Sequence, residues 1–345
     1  MSRPSPQPTR NVEVLHSIVE AYIESGEPVA SRTISRRRRQ ILSPASIRNI
    51  MADLCDEGYL AQPHTSAGRV PTDKAFRSYV SSLRTRDLPA AEAERLRAEF
   101  SSAETVEERV ERSSHLLTEL TRAMSIAASI PTASQSLDHV ELISLGDHRV
   151  LMVVVTCDRT VRNRVVTLDE QITQDELHSI RNYINREFAV WPLFRIREEL
   201  QRRLEAESAV YDEILRHLNL LFGKGLLDIG LSPEVHLDGT SYLVGLDLHL
   251  TREKLRDLFR ALEEKKRILS LLDRFLEQRP GEVAVQVGLG EAHPSMGELS
   301  LIGLSVMLPS GMAAKIAVLG PLRMNYEHVM SAVFHVGEAI RETPE

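Results

Sequence analysis

The tightest constraint on the fold lies at residues 43–58, where Ser43 followed by Pro44 opens a helix and Gly58 closes it. A hydroxyl at the cap position accepts from a free backbone N–H of the first turn, and a proline directly after it loses no helical hydrogen bond. At about 100° per residue, Ile47, Ile50, Met51 and Leu54 fall on one side of this helix and Ala45, Arg48, Asn49 and Ala52 on the other. Two helical patterns precede it. Residues 12–25 place Leu15, Ile18, Val19, Tyr22 and Ile23 on one stripe, with Asn11 positioned to cap and Gly26 to end it. Pro28 then forces an extended connection, and Ser31 starts a short helix through Ile34 that runs into Arg36, Arg37, Arg38 and Arg39. Behind the third helix, residues 59–62 read as a strand, 63–68 as a polar turn, and Arg69 with Val70 as a returning strand. Three helices and a β-hairpin in this order predict a winged helix-turn-helix.

The rest of the chain is too long for one core, because 345 residues exceed the size at which chains divide into domains. Thr72 opens a further helix carrying Phe76, Tyr79, Val80 and Leu83, and residues 87–89 mark a boundary. A helical connector follows, with Thr105 and Glu108 as a capping box and Leu116, Leu117, Leu120 and Met124 as its apolar stripe. Strand patterns run over 140–145, 150–156 and 161–168, helical ones over 175–217 and 252–276, with a strand expected at 242–248 between them. Strands at 283–287, 299–308 and 313–319 and a helix at 325–341 complete the chain. This order predicts a multidomain α+β protein. We divide it into a DNA-binding domain (1–86), a connector with the first part of a second domain (87–184), a mostly helical insertion (185–278) and the remainder of the second domain (279–345).

Charge is unevenly spread. Residues 1–86 carry 13 Lys and Arg against 8 Asp and Glu, whereas the remainder carries 29 against 41. A basic head on an acidic body is the pattern of a chain that presents one end to a polyanion. No apolar run reaches the length of about 20 residues that spans a bilayer, and the Pro- and Ser-rich start lacks the apolar segment of a secretory signal. Cys55 and Cys157 stand alone, outside any C-x-x-C pattern. Both features fit a reducing cytoplasm.

On the third helix, small residues beside Arg48 and Asn49 allow close approach to a groove, and these two side chains are the usual readers of guanine and adenine edges. Ser43 and Ser46, at the helix start, suit a phosphate. Arg36, Arg37, Arg38 and Arg39 flank that helix, and the hairpin supplies His64, Thr65, Ser66 and Arg69 for backbone contact. Enzyme readings find little support. Gly288-Leu289-Gly290 lacks the third glycine of a dinucleotide fingerprint, Gly223-Lys224-Gly225 lacks the frame of a phosphate loop, and the histidines show no paired-ligand spacing. We expect no catalytic residue, metal or cofactor.

The sequence resembles the HrcA heat-inducible transcription repressors of bacteria. The resemblance rests on Gly26-Glu27-Pro28-Val29 with Ser31-Arg32-Thr33, on Ser46-Ile47-Arg48-Asn49 with Met51-Ala52-Asp53-Leu54, and above all on the unbroken run from Gln62 through Thr72-Asp73-Lys74. A second block, Gly320-Pro321 with Arg323-Met324 and Tyr326, resembles the family's C-terminal signature. What this implies is a winged helix, a GAF-like domain and an inserted dimerisation domain. It further implies a homodimer on an inverted-repeat operator of chaperone genes, inactivated on heat stress, with a GroEL-type chaperonin as partner. A rival reading is a regulator whose GAF-like domain senses a small ligand.

Overall fold

The computed structural model describes residues 10–37, 42–64, 67–85, 89–103, 105–130, 135–157, 159–206, 213–226, 233–244, 251–276, 281–308 and 312–342. The head opens with α1 (Arg10–Ser25), α2 (Ser31–Arg37) and α3 (Pro44–Asp56), followed by the two-stranded hairpin β1 (Leu60–Ala61) and β2 (Val70–Pro71) and by α4 (Asp73–Ser82). Val29 bridges to Arg69 on the outer side of β2, giving the hairpin a third partner.

Local signals place these helices. The Ser43 hydroxyl accepts from Ser46 N–H at 3.1 Å, and we expect Ser43→Ala to cost about 1 kcal/mol of stability, measurable by denaturant titration. Three expected caps are not formed. Asn11 lies inside α1 and Ser31 inside α2, because both helices begin a residue or more earlier than their apolar stripes. Thr72 stands at the start of α4 but donates instead to the Gly58 and Tyr59 carbonyls at 2.8 and 2.9 Å, tying α4 to the end of α3.

The body is a five-stranded antiparallel sheet between helical layers. It contains α5 (Ala90–Ser101), α6 (Val106–Thr121) and β3 (Met124–Ile130), and, beyond an insertion, β7 (Glu234–Asp238), α10 (Thr240–Val244), α11 (Arg252–Glu263), α12 (Lys265–Leu276), β8 (Ala284–Val287), β9 (Leu299–Met307), β10 (Ala313–Pro321) and α13 (Tyr326–Glu342). The strand order is β7-β3-β10-β9-β8. Ile302, Leu304, Val306, Ile316 and Val318 face α6 and α13, while Leu299, Leu301, Ala317 and Leu319 face α11 and α12. Coverage on both faces leaves β9 and β10 buried almost throughout, Ser300, Ser305 and Lys315 included.

The insertion leaves after β3 and returns at β7, which pair with each other from Ser125↔Asp238 to Ser129↔Glu234. It holds the meander β4 (Leu137–Gly146), β5 (Arg149–Thr156) and β6 (Val161–Thr167), then α7 (Gln174–Phe188), α8 (Leu193–Ala206) and α9 (Glu213–Gly223). Its core is its own, built from Val140, Leu142, Met152, Ile180, Phe188 and Leu221 among others. Side-chain amides of α7 cover the edge of β4: Asn185 accepts from Val140 N–H at 2.7 Å and donates to its carbonyl at 3.0 Å, and Gln174 does the same for Ser144 and Leu142. Arg162 on β6, 6% exposed, ties the insertion to the body through Glu107 at 3.3 Å and through Glu234.

Several expectations are thereby corrected. The meander, joined to the C-terminal strands as one domain by the division at 184/185, forms a separate sheet with its own core, and that boundary falls inside α7 and cuts this core. The insertion is therefore not mostly helical, and α11 and α12, assigned to it from the sequence, pack on the body. Met124 opens β3 rather than closing a helix, because Arg122 turns left-handed at φ 54° and ends α6. At 242–248 the described part, through residue 244, is the helix α10, and the remainder lies outside the described residues.

On α1, within reach of the Glu327 charge at the start of α13, Glu20 is half-buried. Burial pushes its carboxyl up, Arg37 opposes this, and the like charges of Glu24 and Glu327 add to the rise. The folded pKa thus lies above the unfolded one, so the side chain contributes fully only below the unfolded value of about 4.3, and that share is lost as pH rises through the folded value. Glu20→Gln is expected to raise the melting temperature at neutral pH, with the gain vanishing toward about pH 4.

Candidate nucleic-acid interface

Helix α3 is anchored by Ile47, Ile50, Met51 and Leu54, all buried against the head's core, which also contains Leu15, Ile18 and Ile34. The opposite face, Ala45, Arg48, Asn49 and Ala52, is exposed. Arg48 has no carboxylate partner among the described residues, so its guanidinium is free to meet a ligand. At the start of the helix the Ser43 and Ser46 hydroxyls lie 2.9 Å apart. The acidic residues Asp53, Asp56 and Glu57 sit at the far end, where Lys74 donates to the Glu57 carbonyl at 2.8 Å and lies over the Tyr59 ring.

The arginine run is split by its geometry. Arg36 and Arg37 belong to the last turn of α2 rather than to a connection, where a cation suits the negative end of the helix dipole. Arg36 is exposed, whereas Arg37 pairs with Glu24 of α1, Nη1 to Oε2 at 2.8 Å, and this bond holds the Glu24 carboxyl below its ordinary range. Arg38 and Arg39 lie outside the described residues. Arg32, one turn before Arg36, stands in the quoted Ser31-Arg32-Thr33 motif but not among the contacts expected from the sequence. Together with Arg36, Ser35, Leu42, Ser43 and Pro44 it lines a concavity of about 450 Å³ at the start of α3. The i, i+4 spacing of Arg32 and Arg36 was the available signal.

On the hairpin, His64 is exposed and its carbonyl accepts from Ala67 N–H at 2.9 Å. Thr65 and Ser66 lie outside the described residues. Arg69 is half-buried, and its Nε lies 3.1 Å from Cys55 Sγ on α3, so this arginine links hairpin and helix. The structure thus gathers Arg36, Ser43, Ser46, Arg48 and Asn49 around α3, with His64 on the neighbouring turn. Among the described residues, no group of three or more His, Cys, Asp and Glu side chains could hold a metal ion, and no helix is long and apolar enough to cross a membrane.

A family model described as the HrcA protein C-terminal domain matches residues 107–330. The heat-inducible transcription repressor HrcA of Geobacter sulfurreducens is 34% identical over 335 residues, 96% of each chain, and that of Sorangium cellulosum is 35% identical over 332 residues, again 96% of each. Among solved structures, a hypothetical protein of 21% identity matches with a TM-score of 0.62 over 98% of this chain and 99% of its own, which supports the fold. With the body covered by the family model and both ends by full-length relatives, the chain belongs to the HrcA family of heat-inducible transcription repressors.

Proposed function

We propose that the chain is a homodimeric cytoplasmic repressor that binds an inverted-repeat operator of chaperone genes and loses the operator on heat stress. In this reading the head is a winged helix-turn-helix with α3 as recognition helix, and the five-stranded body is GAF-like. The observation that carries it is α3 itself: one face is locked into the core, and the other offers an exposed Arg48 and Asn49, without partners among the described residues, beside small residues. Arg48 and Asn49 read base edges, while Ser43, Ser46, Arg36, His64 and, from outside the described residues, Arg38, Arg39, Thr65 and Ser66 hold the backbone. Arg37 and Arg69 contribute charge while tied to Glu24 and Cys55.

The insertion supplies the dimer contact. Its outer sheet face exposes apolar side chains, with Ile143 43%, Val161 59% and Val165 52% exposed, and Ile143, Leu151 and Val165 in register across the three strands, next to a row in which Glu141 and Asn163 flank Val153. Exposed apolar side chains grouped on one sheet face support an association surface there.

A GroEL-type chaperonin is the partner that keeps the repressor active. The body supports this, since β3 at 124–130 must find β10 at 313–319 across the whole insertion, and such distant pairings fold slowly with apolar strands exposed. In the test, the protein protects an inverted repeat upstream of its genome's chaperone genes, and binding after a heat pulse recovers further with purified chaperonin and ATP than without. Absence of a protected repeat overturns the operator reading. Equal recovery removes the chaperonin from it.

A further inference from the structure

The head is docked on the body through a joint to which none of the proposed DNA contacts belongs. Two left-handed glycines mark it, Gly26 at φ 71° on the head and Gly288 at φ 74° on the body. At each, the space of a side chain is taken by the other part. A Cβ on Gly26 would overlap the Arg323 guanidinium, and one on Gly288 would lie 3.0 Å from the Asp73 carboxylate. Between them Arg77 donates from Nε and Nη2 to the Val287 carbonyl, at 3.4 and 3.3 Å, at the end of edge strand β8. Phe76 lies against the Tyr326 ring with centroids 6.1 Å apart. Tyr326 is itself fixed, because its hydroxyl donates to the Leu322 carbonyl at 2.8 Å and lies 3.0 Å from Ser300 Oγ.

Helix α4 carries this joint inward. Its Phe76 and Tyr79 also pack on Tyr22 and His16 of α1, at 6.3 and 5.6 Å between ring centroids. A single core runs from Val14 through Phe76 to Val333. The tilt of α4 on β8 therefore sets the tilt of α1, and with it the direction in which α3 points away from the body. In a dimer, that direction decides how far apart the two recognition helices stand.

We propose that Arg77 and Arg323 are positioning residues that fix the spacing between the two half-sites, without touching DNA. This rests on the homodimeric operator reading given above. Each base pair added between half-sites moves one of them by about 3.4 Å and turns it by about 34° around the DNA axis. A head locked on its body accepts one such step, while a head free to rock accepts several.

The test uses full-length protein and a panel of operators with identical half-sites whose spacers differ by one or two base pairs. We expect the wild type to prefer one spacer over its two-base-pair neighbours by about tenfold or more. In the double variant Arg77→Met, Arg323→Met, discrimination falls to about twofold while base preference and affinity for a single half-site stay unchanged. Lysine at both positions restores part of it. Melting scans check that the variants are folded, and Arg323→Met alone, at an exposed position, is read the same way if the double variant melts early. Undiminished spacer discrimination in a folded variant overturns the inference and leaves the operator reading intact. If the wild type binds no inverted repeat at any spacing, both fall together.

Discussion

Arg48→Ala is expected to lower operator affinity by about 5- to 150-fold, equivalent to ~1–3 kcal/mol, and to relax preference at one base position in each half-site. The magnitude follows from loss of a bidentate base contact. The direction follows from the position of Arg48, exposed on a helix whose other face is fully engaged. Because Arg48 makes no bond to a described residue, its removal leaves the fold unchanged, and the melting temperature serves as control. Arg36→Ala differs in kind: it weakens specific and random DNA together and flattens the salt dependence by about one unit. Arg37→Ala carries a further effect, since it strands Glu24 and removes the opposing charge beside Glu20. Site selection by the Arg48 variant with unchanged preference at every position would contradict the assignment.

Val161→Glu combined with Val165→Glu is expected to convert the protein to a monomer and to remove binding to the inverted repeat. An uncompensated charge buried at an interface costs on the order of 3–5 kcal/mol, and in a two-fold dimer each substitution occurs twice. Both side chains stand on the outer face of β6, away from the insertion's core, so the monomer keeps its fold. Sedimentation at micromolar concentration reads the outcome. A dimer of unchanged stability would move the contact to another surface.

The head was more legible in the sequence than the body. The α3 stripe falls as its periodicity dictates, because cap, proline and apolar spacing all agree on one helix with one buried side. The Arg36–Arg39 run follows the last apolar residue of its helix and so reads as a connection, yet arginine carries no stop signal and α2 continues into it as far as Arg37. In the body, β3 was hidden. Its Met-Ser-Ile-Ala-Ala-Ser-Ile sequence is buried on both faces and shows no alternation, and Met124 extended the helical phase of α6. The separateness of the meander was equally hidden, since strand patterns declare faces and not partners. Only the packing groups Val140 with Phe188 and Leu221, and sends α11 and α12 to the other core. The joint between Arg323 and Gly26 joins the two motif blocks quoted from opposite ends of the chain, which sequence spacing cannot reveal.

The central claim is that two copies of α3 read two related half-sites. Selection from a random duplex pool by the full-length protein, at a stated salt concentration, tests it most directly. The account predicts enrichment of an inverted repeat with a fixed centre-to-centre spacing, and loss of one base preference per half-site with Arg48→Ala. Enrichment of a single unrepeated site, or no enrichment over random DNA, would contradict it.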